Sequence, residues 1–126
     1  MNITYDPKEE AYELPYKIWD EDVTVRFYVD EQQEIFDNLS AVAEMLGKVD
    51  ANKYKIAGVL ADDKYFSEDE TADNLQQHIS VDSLYFDIDG DELTLCMTVA
   101  SRDSYFFDKI NIEIGSDGGI EVTGTM

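Results

Sequence analysis

The sequence predicts an α+β domain: an antiparallel sheet of about six strands covered on one face by about three helices. Three observations point there. Apolar residues alternate with polar ones over 12–29 and again over 80–123. Between those stretches the apolar period lengthens to that of a helix. And Asp89-Gly90, a strong hairpin signal, sits between two alternating runs. The sheet is expected as an N-terminal hairpin plus a C-terminal four-strand meander, in the order β-β-α-α-α-β-β-β-β.

Taken in order, residues 1–11 are polar and contain Pro7, the composition of a loose end. From Tyr12 the chain reads as a strand, with Tyr12, Leu14, Tyr16 and Ile18 on one side. Pro15 marks it as an edge. The acids Asp20, Glu21 and Asp22 form a turn. Val23–Val29 is the second strand, with Val23, Val25, Phe27 and Val29 facing one way. Asp30 suits an N-cap. Ile35, Leu39, Val42 and Leu46 then form one helical stripe, and Gly47 is its natural stop. A second helix is expected from about Ala51 to Ala61, capped by Asp50. Ser67 with Glu70, or Thr71, can open a short third helix through Gln77. The meander follows as Ser80–Ile88, Glu92–Ala100, Phe107–Ile114 and Ile120–Thr123, with a turn at Gly118-Gly119.

The length of 126 residues suits a single domain, 1–126. Ile, Leu, Val and Phe number 33 and aromatic residues 15, enough for one core and too many for a disordered acidic chain. The charge is the anomaly: 29 Asp plus Glu against 9 Lys plus Arg, a net −20. Such a surface repels phosphate backbones and anionic headgroups, so neither nucleic acid nor a membrane is an expected partner. It attracts cations, either a basic protein face or a divalent metal. It also aids solubility. One cysteine excludes an internal disulfide and fits a reducing compartment. The N-terminus lacks a signal-peptide pattern, and no apolar run reaches the ~18 residues of a span, so a cytoplasmic location is expected.

Few residues carry a chemical pattern. Asp87-Ile-Asp89-Gly-Asp91 departs from a calcium loop, because Gly90 falls fourth and the twelfth position is Thr98. It reads as a hairpin turn. His78 is the sole histidine, near a helix C-terminus, with no second histidine for a metal pair. Cys96 reads as a small packing residue in mid-strand. No nucleotide or nucleophile motif occurs, so no catalytic residue and no cofactor are assigned. The densest acidic run is Asp62, Asp63, Glu68, Asp69, Glu70 and Asp73. It can be a solvated loop with a capped helix, a weak divalent site, or a docking patch for a basic partner. Alternation within Tyr65-Phe66, Tyr85-Phe86 and Tyr105-Phe106-Phe107 should bury one ring and expose its neighbour. Tyr65 and Tyr105 are the candidate interface anchors. The candidate partner-binding set is therefore Asp62, Asp63, Tyr65, Glu68, Asp69, Glu70, Asp73 and Tyr105.

In size, charge, single cysteine and α+β layout, the chain resembles the small acidic bacterial immunity proteins of polymorphic and contact-dependent toxin systems. The stretch from Trp19 to Gly124 also resembles a poorly characterised bacterial domain family. The shared features are a Trp before an alternating strand, central helices, and a meander ending in Asp117-Gly-Gly-Ile-Glu-Val-Thr-Gly124. That family often carries Gly-His after the aromatic of the third meander strand. Here Asp108-Lys109 follows Phe107, so no histidine role carries over. The first resemblance implies a non-enzymatic inhibitor that covers a basic partner such as a nuclease toxin. The charge alone also leaves open a nucleic-acid mimic or a regulatory binding domain.

Overall fold

The computed structural model describes residues 2–125. They form a seven-stranded mixed sheet in sequential order, with the helices inserted between the third and fourth strands. The strands are β1 (Thr4–Asp6), β2 (Ala11–Ile18), β3 (Glu21–Phe27), β4 (Ile79–Asp89), β5 (Glu92–Ser101), β6 (Ile110–Gly115) and β7 (Ile120–Thr125). The helices are α1 (Gln32–Asp37), α2 (Leu39–Ala51), α3 (Lys53–Ala61) and α4 (Ala72–Leu75).

Two features correct the expected sheet. β3 and β4 run parallel, with Val25 opposite Leu84 and Phe27 opposite Phe86, while the other neighbours are antiparallel. A tight hairpin forces antiparallel neighbours. A long helical crossover lets the chain return in the same direction. The hairpin and the meander thereby fuse into one sheet. The seventh strand comes from the stretch read as a loose end: Thr4–Asp6 pairs with Ala11–Glu13. β1 covers the outer side of β2 only at Ala11–Glu13. Pro15 lies beyond that pairing, where β2 is still the edge of the sheet, as a proline without an N–H requires.

The strand registers carry the predicted alternation onto one buried face. Leu14, Ile18, Val25, Phe27, Leu84, Phe86, Leu95, Met97, Ile112 and Ile114 lie there under the helices. Phe27 and Phe86 stack at 5.5 Å, their planes only 6° apart. Ile35, Val42, Leu46, Val49, Ile56, Leu60 and Leu75 come down from the helical layer.

The helix boundaries shift for local reasons. The first expected helix is two. Asn38 separates them, its side-chain amide donating to Glu34 O at 2.8 Å and to Gly90 O at 3.2 Å. α1 is capped from Glu31 rather than Asp30, and the Glu31 N–H donates to Glu34 Oε2 at 3.1 Å. Gly47 does not stop α2, which runs on to Ala51 because Val49 is drawn into the core beside Met45 and Leu46. Asp50 does not cap α3. It lies in the last turn of α2 and accepts the Trp19 N–H at 2.7 Å. Thr71 opens α4, its hydroxyl accepting from the Asn74 N–H at 3.1 Å. β6 starts at Ile110 instead of Phe107, because residues 102–109 form a bound loop.

Candidate functional site

The predicted partner-binding residues lie in two separate segments, which the structure joins through Tyr65, Glu70 and Tyr105, while Asp62, Glu68, Asp69 and Asp73 are exposed along the first of them. One is the acidic stretch 62–73, between α3 and α4. The other is the loop 101–109, between β5 and β6. Two tyrosines join them. The Tyr65 hydroxyl accepts the Asp108 N–H at 3.2 Å. The Tyr105 hydroxyl donates to Glu70 Oε2 at 2.6 Å and accepts from the Asn74 amide at 2.8 Å.

Each candidate has a definite place. Asp62 is the exposed C-cap of α3. Asp63 is half-buried and accepts the Tyr65 N–H at 3.0 Å. Glu68 and Asp69 are exposed, and the Asp69 N–H is bound by Ser67 Oγ at 3.0 Å. Asp73 is exposed in the first turn of α4, on the favourable end of its dipole. Glu70 is half-buried against Tyr105 and Asn74. Tyr65 is half-buried, packed edge-on to Phe66 at 5.0 Å, so it fastens the two segments more than it presents a ring. Tyr105 is 45% exposed.

His78, which had no assigned role, sits beneath this surface. Its ring stacks on Tyr105 at 4.0 Å and 11°, and Nδ1 lies 2.6 Å from Asp103 Oδ2. These contacts set the local acidities. Partial burial would raise the Glu70 carboxyl, but hydrogen bonds from Tyr105, Asn74 and the Thr71 N–H, with His78 nearby, hold it below its ordinary value. The His78 hydrogen bond holds Asp103 low, and the bond to Glu70 holds the Tyr105 phenol high. At neutral pH both carboxylates are therefore charged and Tyr105 is a donor.

Sequence reasoning missed Phe107, which it placed at the start of a strand. The ring is 91% exposed. Its neighbour Phe106 is buried and packs edge-on against Phe66 at 5.3 Å. The signal lay in the alternation of the triplet: where the middle ring is buried, both flanking rings face outward. It holds for Tyr85 and Phe86 too, 40% and 0% exposed. Only the pair Tyr65-Phe66 escapes it, because both rings are half-buried.

The far side of the sheet, away from the helices, carries a row of side chains set by register: Glu13, Arg26, Tyr85, Cys96, Glu113 and Glu121. Arg26 and Glu13 form an ion pair at 3.0 Å. Cys96 is half-buried, and burial pushes its thiol up, which disfavours the reactive thiolate. A small hollow of about 70 Å³ lies between α2, α3 and the β6–β7 turn. Among the described residues, no group of three or more His, Cys, Asp or Glu is placed to hold a metal ion. None of the described helices is long and apolar enough to cross a membrane.

No family model matches the chain, and neither a curated protein nor a solved structure matches it.

Proposed function

We propose that this chain is a non-enzymatic acidic binding protein, an immunity-type inhibitor that occludes a basic protein partner such as a nuclease toxin in the cytoplasm. One observation carries the reading: segments 62–73 and 101–109 meet in a single surface with an almost fully exposed phenylalanine among carboxylates. The two segments hold eight Asp or Glu and three Lys or Arg. A nuclease cleft is basic because its substrate is polyanionic. An acidic surface approaches such a cleft faster than diffusion alone would bring it. The charge raises the association rate, and the rings supply the anchor that resists dissociation. Burying an exposed Phe ring is worth about 1.5–3 kcal/mol, and here that gain is left for a partner.

The two segments also separate carboxylates free to meet a partner from those that hold the surface together. Asp63 and Glu70 bond to Tyr65 and Tyr105. Asp62, Glu68, Asp69 and Asp73 are exposed. Neutralising these four to Asn or Gln tests the reading without loosening the loops. Wild type and variant are used to capture partners from native extract at low and high salt. The expected result is a basic protein held by wild type at low salt, whose activity the purified chain blocks. Its association with the variant should be slower by about tenfold. Unchanged association kinetics, or a captured protein whose activity persists when covered, would overturn the proposal.

A further inference from the structure

Resting on that docking reading, and adding the chemistry of the contact, we infer that the loop 101–109 takes an arginine side chain of the partner. The guanidinium stacks on Phe107 and pairs with carboxylates of the same loop. Phe107 is 91% exposed, well above Tyr54 at 55% and Tyr5 at 52%. The loop does not leave that ring free to fold back. On one side Phe106 is buried against Phe66, and on the other the Asp108 N–H is held by Tyr65. Upstream, Ser101 Oγ accepts the Tyr105 N–H at 2.8 Å, and the Tyr105 ring is fixed by His78 beneath it and Glu70 at its hydroxyl. Ser104, between these anchors, has a left-handed backbone (φ 65°), which L-residues adopt only when their surroundings require it. The backbone on both sides of the aromatic tip is held, and the Phe107 ring stands out from it into solvent.

The charge around the tip selects the occupant. Asp103 and Asp108 lie in the same loop, and Glu70 is tied to it through Tyr105. Of the loop's two cations, Lys109 is turned to Asp82 at 3.2 Å while Arg102 is exposed. A phosphate is repelled here. A purely apolar side chain would use the ring and waste the carboxylates. A cation suits both, and a guanidinium suits them better than an ammonium. It is planar, stacks on an aromatic face, is weakly hydrated and reaches carboxylates through a fork of donors.

The test is an amide chemical-shift titration of the full chain at low salt with two probes, acetylated tetra-arginine amide and acetylated tetra-lysine amide. Wild type should bind the arginine peptide about threefold more tightly, with shifts concentrated at 62–73 and 101–109. Phe107→Ser, at a position that packs on nothing, should keep the native spectrum and erase the difference while leaving lysine affinity unchanged. Equal affinities for the two peptides at this surface overturn the arginine inference and leave the docking reading standing. Shifts confined to the open face of the sheet, around Glu13, Glu113 and Glu121, overturn both.

Discussion

At the scale of single residues, the turn between β2 and β3 shows how an awkward choice is held in place. Ile18 pairs with Glu21, so the hairpin has a two-residue loop, Trp19-Asp20. Both residues have positive φ, 54° and 64°, as a type I′ turn requires. Asn-Gly would adopt that shape freely; a tryptophan does so at a cost. The cost is offset by α2, where Val49 O accepts the indole N–H at 3.0 Å and Asp50 accepts the Trp19 N–H. The Lys53 ammonium lies 5.3 Å from the ring centroid, and its pKa is lowered by burial and by Arg102. Asp50→Ala should therefore destabilise the protein by about 1 kcal/mol in urea unfolding, while an exposed acid such as Asp91 should show no effect. Tyr85 offers a second test. The hydrogen bond with Cys96, then burial and the charges of Asp87 and Glu113, push its phenol up to about 12. A raised phenol pKa favours the protonated form in the fold. That stability is complete below the ordinary value of 10.0 and is lost as pH rises through about 12. Ultraviolet titration should show a late tyrosine ionising near 12, absent in Tyr85→Phe; an unchanged curve would refute the assignment.

At the scale of elements, the boundaries that moved did so where a distant contact outbid a local signal. Gly47 is a good stop in isolation, yet the stripe Val42, Met45, Leu46 and Val49 packs on the sheet and carries the helix past it. Nothing lies within 4 Å of where a Gly47 Cβ would stand. Gly47→Ala should thus stabilise the protein by about 1 kcal/mol in thermal or chemical unfolding. Destabilisation would mean that α2 does end at this residue. The four meander strands were legible because each carries its own alternation, and Asp89-Gly90 announced its turn, with Gly90 at φ 65°. The start of β6 was not legible. Phe107 has the composition of a strand residue, and only the anchoring of Tyr105 and Asp108 keeps it out of the ladder.

At the scale of the whole molecule, the −20 charge sets the response to salt. The ion pairs Arg26–Glu13, Lys48–Glu44 and Lys109–Asp82 engage only a small part of 29 carboxylates. The remainder repel one another, and the compact state holds them closer than the unfolded chain does. Raising NaCl from about 0.05 M to about 0.5 M shortens the screening length to a few ångströms. Relief of about 1 kcal/mol would raise the melting temperature by about 2–8 °C. A fall in melting temperature would show that attractive pairs outweigh the repulsion. The same screening should weaken partner capture, so stability and binding are expected to respond to salt in opposite directions.

The sequence by itself determined the α+β class, the meander, the core stripes of the main helices and the acidic character, because periodicity, turn chemistry and composition are written in neighbouring residues. Only the tertiary structure decided that β3 and β4 run parallel, that residues 4–6 add a strand, and that Tyr65 and Tyr105 bring segment 62–73 against loop 101–109. Those outcomes depend on contacts between residues far apart in the chain, and no local pattern encodes which distant partner a tyrosine hydroxyl or a strand edge will find.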